Sequence, residues 1–229
     1  MLIDIHTHIY TQRWLEILQE QSGIYHLKIR PDGQKEIFRG DTPVSIPQAG
    51  HFDYGLRIKL MDKAGIDISV VSLTAPSVYW GTEEVSCLAA QEANDSTAEA
   101  QAKYPERIRW FTTLPWQYPD AAVAELERTC ANGAVGVMVL ANIAGRSLND
   151  DFFAPIWQAI DDKGLPVLLH PTDPPGADVL DMGEFDLSWS VGFMFDTTLA
   201  ITRMMFHGFF DKYPKLKLIA SLMCFLKTM

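Results

Sequence analysis

The sequence is poor in cysteine and in clustered positive charge. Its three cysteines, Cys87, Cys130 and Cys224, form no C-x-x-C pair and are odd in number. That pattern predicts buried or free thiols in a reducing compartment rather than a disulfide framework. No run of Lys and Arg is present, and 19 basic residues stand against 29 acidic ones, for a formal charge of −10. Because phosphate binding needs a basic face, this balance argues against nucleic acid as a partner.

The chain also lacks a long apolar run. Its first residues, M-L-I-D-I-H, contain neither the basic nor the apolar region of a secretory signal. The longest uncharged window, residues 129–145, is too short and too rich in Asn and Gly to span a bilayer. These absences predict a cytoplasmic protein that does not bind membranes. With 48% hydrophobic residues, the 229-residue chain can build the substantial core of one large domain.

Short β-branched runs alternate with longer amphipathic stretches, a pattern typical of βα units on a parallel sheet. We predict strands at residues 2–5, 68–73, 108–113, 134–140, 165–169 and 216–220, and helices at 54–64, 83–103, 120–131, 150–163 and 193–206. No G-x-G-x-x-G run follows a strand, which argues against a dinucleotide-binding sheet. The sequence therefore predicts an α/β fold, a TIM-type (β/α) barrel with about six of its eight βα units present.

One segment interrupts the alternation. Residues 25–40 are typical of a hairpin, with a Pro-Asp-Gly turn at 31–33. We therefore expect residues 1–229 to form a single, incomplete barrel domain with a hairpin insertion at about 20–50. Six strands would leave the edges of the first and last strands unpaired.

The strongest chemical signal is the D-I-H-T-H run of residues 4–8. Alternate residues of a strand share a face, so Asp4, His6 and His8 are expected to face the barrel interior, while Ile3 and Ile5 face the helices. Two imidazoles at this spacing can bind one metal ion at the carboxyl end of the strand, where barrel active sites lie. The alternative is a polar strand end with two solvated histidines.

A third histidine, His170, ends the apolar run G-L-P-V-L-L-H at 164–170. A histidine packed in the core is the alternative for this residue alone. In a barrel, however, the carboxyl ends of the first and fifth strands share one rim, which would place His170 near His6 and His8. Three nitrogen ligands with an open position are typical of a catalytic divalent-metal site, most naturally zinc.

The remaining polar candidates are weaker. His26, His51 and His207 are expected on the surface or in packing. Arg39, at the end of the hairpin, is a candidate to bind a carboxylate with its guanidinium, or else a solvated charge. No G-x-S-x-G elbow and no setting for a nucleophilic cysteine are present.

Four further residues lie in loops or short helices near the proposed rim. Asp173 could contact a ligand or cap a turn. Trp14, Tyr79 and Trp80 could line a pocket, although packing in the core is the ordinary role of aromatic side chains.

Four motifs, taken in order, resemble a known family. They are D-I-H-T-H at 4–8, R-x-x-x-M-D-x-x-G-I-D at 57–67, G-L-P-V-L-L-H-P at 164–171 and F-F-D-K-Y-P-K-L-K-L at 209–218. Together they resemble the amidohydrolase-related metal-dependent decarboxylases, which include the aminocarboxymuconate-semialdehyde and resorcylate-type decarboxylases. The resemblance runs from residue 1 to about residue 221.

The resemblance implies a barrel of the metal-dependent hydrolase kind and a site within it. It implies that His6, His8 and His170 are metal ligands and that Arg39 contacts a substrate carboxylate. It also implies decarboxylation without an organic cofactor, a metal that is usually zinc, and a homodimer.

The chain departs from the family pattern at three points. Leu222 stands where the family has a histidine that acts as the acid or base, so no catalytic residue is assigned. A further aspartate ligand of the family falls beyond residue 229, and we therefore expect a C-terminally truncated chain. Thr172 replaces a tryptophan, which leaves the substrate's identity open.

Three functional hypotheses remain open. The first is a metal-dependent carboxy-lyase acting on a small unsaturated or aromatic carboxylic acid, with reduced or no activity in this form. The second is a metal-dependent hydrolase of a lactone or amide on the same fold. The third is a non-catalytic chain that pairs with a full-length homologue.

Overall fold

The computed structural model describes residues 1–172, 176, 179–182, 185 and 187–221. The strands are β1 (Ile3–Ile9), β2 (Tyr25–Ile29), β3 (Lys35–Arg39), β4 (Thr42–Ser45), β5 (Ile68–Leu73), β6 (Ile108–Thr113), β7 (Gly136–Leu140), β8 (Asn142–Ile143), β9 (Arg146–Ser147), β10 (Pro166–His170) and β11 (Lys217–Ala220). The helices are α1 (Gln12–Gln21), α2 (Ala49–Phe52), α3 (Tyr54–Ala64), α4 (Glu83–Lys103), α5 (Pro119–Ala131), α6 (Ala154–Lys163), α7 (Phe193–Phe206) and α8 (Phe209–Lys212). A 3₁₀ turn (Asp151–Phe153) precedes α6, and a π-helical turn (Ser188–Gly192) precedes α7.

Six strands form one parallel sheet in the order β1-β5-β6-β7-β10-β11. Strands that are adjacent in this order follow one another along the chain, with helices in the connections, as expected for consecutive βα units. The predicted α/β fold with six barrel strands is therefore confirmed. As predicted, β1 and β11 lie at the two ends of the sheet.

Local sequence signals set the ends of the helices. The Asp53 side chain accepts a hydrogen bond from the backbone of Leu56 and begins α3, and Thr82 caps α4 in the same way. Gly65 ends α3 in the left-handed conformation, with φ of 70°. Both helices have the bounds predicted from the sequence.

The excursion after α1 is a three-stranded antiparallel sheet in the order β2-β3-β4. The predicted hairpin is β2 and β3, closed by a hydrogen bond of 2.9 Å from the Gly33 amide to the Arg30 carbonyl. The third strand, β4, was not predicted, because Pro43 within it disfavours a strand. Proline is tolerated there because β4 is the edge of the small sheet.

Large aromatic side chains pack between the parallel sheet and its helices. The ring centroids of Trp116 and Trp157 lie 4.8 Å apart, and those of Trp157 and Phe209 lie 5.1 Å apart. All three side chains are buried. This cluster joins the loop after β6 to α6 and α8, and contacts of this kind bury large apolar areas.

The first half of β1 corrects one expectation. Ile9 is buried, but Ile3 and Ile5 are 42% and 40% exposed rather than packed under helices. Because β1 is an end strand of the parallel sheet, it has a neighbouring strand on one side only among the described residues. The strand also runs to residue 9 rather than residue 5, so it contains both histidines of the motif.

The described part of the chain contains neither a disulfide nor a helix both long and apolar enough to cross a membrane. Cys87 and Cys130 are free and half-buried, as predicted. Burial raises the pKa of both thiols, which lowers their reactivity. Cys224 lies outside the described residues.

Candidate metal centre

Two of the three predicted ligands, His6 and His8, come from β1. Side chains two residues apart share a face of a strand, and the centroids of these two rings lie 4.9 Å apart. The register of β1 against β5 shifts between Asp4 and Thr7, so a β-bulge or similar irregularity occurs within the histidine motif. The Asp4 carboxylate accepts a hydrogen bond from the backbone of His6 and is not part of the histidine cluster.

The third histidine, His170, is the last residue of β10 and is buried. Its backbone carbonyl accepts a hydrogen bond of 2.8 Å from the amide of Ala141 in the neighbouring chain segment. Its Nδ1 lies 2.6 Å from the carbonyl oxygen of Pro171. A carbonyl can only accept, so Nδ1 carries the proton and Nε2 has the lone pair that a metal ion needs.

The curvature of the sheet brings the three imidazoles together. The His170 ring centroid lies 5.1 Å from that of His6 and 4.7 Å from that of His8. One potential ligand nitrogen from each ring lies within 4.8 Å of the other two. The Nε2 atoms of His8 and His170 are only 3.1 Å apart. Two nitrogens that each lie about 2.0–2.1 Å from one zinc ion have a comparable separation, so a single cation could bind both.

The surroundings of the cluster favour neutral imidazoles. Burial, and then the neighbouring His6, lower the pKa of His170 to about 3. The pKa of His8 is well below its ordinary value, first because of burial and then because of His170. Burial also lowers the pKa of His6, although Asp4 acts in the opposite direction. All three imidazoles are therefore neutral at neutral pH and can act as nitrogen ligands of a metal ion.

Two hydroxyl groups from β5 and the residue after it face the cluster. Ser72 Oγ lies 3.4 Å from Nδ1 of His8, and Thr74 Oγ1 lies 3.4 Å from Nε2 of His170. Ser72 is placed to orient the His8 ring if His8 binds the metal through Nε2, whereas Thr74 lies beside the His170 nitrogen that would bind the metal. The sequence analysis did not identify either residue. The run at 68–73 has the pattern of an apolar strand, and no nearby motif distinguishes Ser72 or Thr74 from other hydroxyl residues.

The histidines open into a cavity of about 200 Å³. The residues that line it are His6, His8, His170, Pro171, Phe193, Met194, Thr197 and Ser221. Apolar side chains thus form much of the wall, and the imidazoles supply most of its polar groups. A small cavity of this composition suits a small, largely apolar ligand with one polar end.

Arg39 is placed elsewhere. It is exposed on β3, where it pairs with Tyr25 and Thr42, and it is not among the described residues that line the cavity. Its contact with a substrate carboxylate stays a prediction. Asp173 and Leu222 lie outside the described residues.

The three aromatic side chains for which the sequence left pocket lining open lie in the core. Trp14, Tyr79 and Trp80 are buried, and the ring centroids of Trp14 and Trp80 lie 6.0 Å apart. None of them is among the described residues of the cavity wall. Of the two roles that the sequence left open for these side chains, packing in the core is therefore confirmed.

The other histidines lie where they were expected. His26 stacks on Phe38 in the small sheet, and His207 is exposed at the end of α7. His51 packs against Tyr10, with ring centroids 5.5 Å apart. Burial, and then Arg57, lower the pKa of His51 to about 4.

A buried carboxylate supports the loop that follows His170. Asp196, in the first turn of α7, accepts a hydrogen bond of 2.9 Å from the amide of Thr172 and one of 3.0 Å from the side chain of Asn142. It is 2% exposed. The only sequence signal for it is a charged residue within an apolar helical run, F-M-F-D at 193–196.

Comparison with known proteins identifies the family. The amidohydrolase family model matches residues 3–221. The chain belongs to the amidohydrolase family. The resemblance predicted from the four motifs is confirmed, and the family supports a divalent metal in the fold.

Three similar proteins represent this family. The chain is 30% identical over 225 residues to 2-amino-3-carboxymuconate-6-semialdehyde decarboxylase of Dictyostelium discoideum, covering 94% of this chain and 60% of the relative. It is 36% identical over 173 residues to gamma-resorcylate decarboxylase of a Polaromonas species, covering 71% and 53%. It also superposes on 5-carboxyvanillate decarboxylase of Novosphingobium aromaticivorans, crystallised with manganese and 4-hydroxy-3-methoxy-5-nitrobenzoic acid. That superposition has a TM-score of 0.79 and 26% identity, and covers 96% of this chain and 64% of that one. In each case the chain spans less than two thirds of the similar protein's own length.

Proposed function

We propose that this chain carries the metal site of a carboxy-lyase, which removes the carboxyl group of a small aromatic or unsaturated carboxylic acid as CO₂ without oxidation. The observation that carries the proposal is the convergence of three neutral imidazoles on one small cavity. The activities named for the three similar proteins, all decarboxylases, support this choice of reaction.

We assign His6, His8 and His170 as the ligands of a divalent ion. The donor set fits a metal, because each ring is neutral at neutral pH and His170 directs the lone pair of Nε2 toward His8. Imidazole nitrogen suits zinc better than it suits manganese, which prefers oxygen ligands. We therefore propose zinc, although one similar protein was crystallised with manganese.

Decarboxylation breaks the bond between the carboxyl carbon and its neighbour, and the electron pair stays on that neighbour until a proton arrives. A divalent ion at this position would supply Lewis acidity that stabilises the developing negative charge. Phe193 and Met194 give the cavity an apolar wall. A carboxylate held there loses hydration that neutral CO₂ does not need, so the apolar wall favours its departure. We propose Arg39 as the group that binds the carboxylate of the incoming acid.

The described residues that line the cavity include no clear donor for the proton that replaces CO₂. Among the described residues that line the cavity, only the three histidines have side chains that ordinarily titrate near neutral pH. The family resemblance implies that Leu222 stands where the family has its acid or base histidine. Loss of one general acid lowers rates by about 10²–10⁴, so we expect slow decarboxylation at most.

The first test is metal content, measured by plasma mass spectrometry on the 229-residue protein after size-exclusion chromatography. We expect about one divalent ion per chain in the wild type and in a His207→Ala control, and loss of the ion in His6→Ala. His207 is a matched control because it is an exposed histidine outside the cavity. A folded wild type that binds no divalent ion would refute the metal assignment.

The second test separates the reactions. The metal-loaded protein is incubated with aromatic and muconate-type acids labelled at the carboxyl carbon and, separately, with lactones and amides. Release of labelled CO₂ that disappears in His6→Ala supports the carboxy-lyase. Ring opening without CO₂ would support hydrolysis instead, and activity with neither class would support the non-catalytic hypothesis.

We further propose a cytoplasmic homodimer, on the basis of the sequence and the family resemblance. Sedimentation velocity on the purified chain tests the oligomeric state directly. A single species with the mass of one chain at micromolar concentration would contradict the dimer.

A further inference from the structure

Arg57, the first residue of a motif that the proposed function leaves without a role, connects α3 to the histidine strand. The residue belongs to α3, yet its side chain reaches β1 and is only 7% exposed. A guanidinium is rarely buried to this extent unless its donors have fixed acceptors.

The acceptors of Arg57 surround the second half of the histidine motif. Nη1 donates to Thr7 Oγ1 at 2.6 Å. Nη2 donates to the backbone carbonyl of His8 and, at 2.9 Å, to that of Gly50. Two of these acceptors therefore belong to the segment of β1 that bears the candidate ligands, and one of them is the backbone of a ligand residue.

The hydrogen bonds between β1 and β5 are interrupted in this part of β1, so other contacts must help to hold it. The strand lies at the end of the sheet, with only β5 as a neighbouring strand among the described residues. The ladder to β5 is irregular between Asp4 and Thr7, within the histidine motif. An edge strand with an interrupted ladder does not hold two side chains at fixed spacing as well as a central strand does. The guanidinium of Arg57 is planar and has its N–H donors at fixed angles. Its hydrogen bonds therefore link α3 to this part of the strand.

We propose that Arg57 is a positioning residue, which holds the Thr7–His8 backbone so that the imidazoles of His6 and His8 meet His170 at the spacing a divalent cation requires. The inference rests on the metal assignment made above. Outer partners that orient metal ligands typically change metal affinity by about 10–100-fold when removed. We expect a change in that range for Arg57→Met.

The test measures Zn²⁺ affinity by competition with a chromophoric chelator on the 229-residue chain. Arg107→Met is the matched control. Arg107 also donates to two backbone carbonyls, those of Asp67 and Ile66, at 2.8 and 3.0 Å. It lies directly before β6, at the opposite end of the strands from His170, so its loss should weaken folding without changing Zn²⁺ affinity by more than about twofold.

Two further variants keep the test informative if Arg57→Met folds poorly. Thr7→Val removes one acceptor at nearly constant volume and leaves the guanidinium in place, so we expect a smaller loss, several-fold at most. Arg57→Lys keeps the charge, but a single nitrogen cannot replace the fork, so affinity should stay well below that of the wild type. The Co²⁺-substituted protein provides a spectroscopic readout, because the visible absorption of Co²⁺ follows the geometry of its ligands.

The outcomes are distinguishable. Weaker Zn²⁺ binding and an altered Co²⁺ spectrum in the Arg57 and Thr7 variants, with Arg107→Met unchanged in both, support the inference. Wild-type affinity in Arg57→Lys and Thr7→Val, in folded protein, would refute the positioning role and leave the metal site intact. A folded wild type that binds neither ion would refute the metal assignment and the positioning role with it.

Discussion

Asp196 offers the sharpest test of how the loop after His170 is held. Its carboxylate accepts a hydrogen bond from the side chain of Asn142 at Oδ1 and another from the backbone of Thr172 at Oδ2. The substitution Asp196→Asn keeps the shape of the side chain but replaces one acceptor oxygen with an amide that donates. Either the Asn142 side chain or the Thr172 backbone amide must then face the new NH₂ group, which is also a hydrogen-bond donor.

The expected cost follows from this count. A hydrogen bond to a charged group contributes about 1.5–3 kcal/mol, so Asp196→Asn should lower the free energy of unfolding by about that amount. Asp196→Ala removes both acceptors and should cost about 3–6 kcal/mol. Because a domain is stable by only about 5–15 kcal/mol, the alanine variant should be close to unfolding at room temperature.

The assay is urea denaturation followed by tryptophan fluorescence, with metal removed so that binding does not contribute. Asp162→Asn is the control, since Asp162 is exposed and accepts a hydrogen bond of 2.9 Å from the exposed side chain of Gln158. We expect a change within about 0.5 kcal/mol for the control. An Asp196→Asn midpoint equal to that of the wild type, with an unchanged slope, would show that the carboxylate does not support the loop.

Two further predictions concern packing and protonation. In Gly136→Ala the new Cβ would lie 2.5 Å from the carbonyl oxygen of Pro166 on the neighbouring strand, so the free energy of unfolding should fall by about 1–3 kcal/mol or more. Gly50→Ala, whose Cβ would meet its nearest neighbour at 3.7 Å, serves as the control, and equal urea midpoints for the two variants would contradict the reasoning. The pKa of His51 is lowered to about 4, first by burial and then by Arg57, so its imidazole should be neutral at pH 6 in a proton NMR titration. Since the unfolded chain takes up this proton near pH 6.5, the contribution of His51 to stability should fall as the pH drops from 6.5 towards 4; a folded-state midpoint near 6.5 would contradict the prediction.

Much of the fold could be predicted because its signals are local. The strands at 68–73 and 108–113 and the helices at 54–64, 83–103 and 193–206 have the predicted bounds. Each is marked by a β-branched run, a capping side chain or a helical pattern that a few neighbouring residues define. The small strand β4 was missed, since its proline is acceptable only at a sheet edge.

The exposed isoleucines show where local reasoning fails. Alternation along β1 correctly places His6 and His8 together, but it cannot tell what covers the other face. Ile3 and Ile5 remain partly exposed because β1 is an end strand, a property of the sheet order and not of the strand's own sequence. The sequence left two roles open for Trp14, Tyr79 and Trp80, since an aromatic side chain has the same local signal in a core as in a binding site, and only their burial decides for the core.

The chemistry of the candidate centre could be predicted from the sequence alone: three imidazoles, two of them at alternate positions 6 and 8 and the third at the end of an apolar run. Only the tertiary structure decided that His8 and His170, which are 162 residues apart, have their Nε2 atoms at 3.1 Å. The tertiary structure also places Arg57 against β1, where it donates to Thr7, and Asp196 beside the loop after His170, where it accepts from Thr172. Periodicity depends on residues that are close along the chain. The distance between the histidines depends instead on the curvature of the parallel sheet, which the packing of all its strands and helices determines.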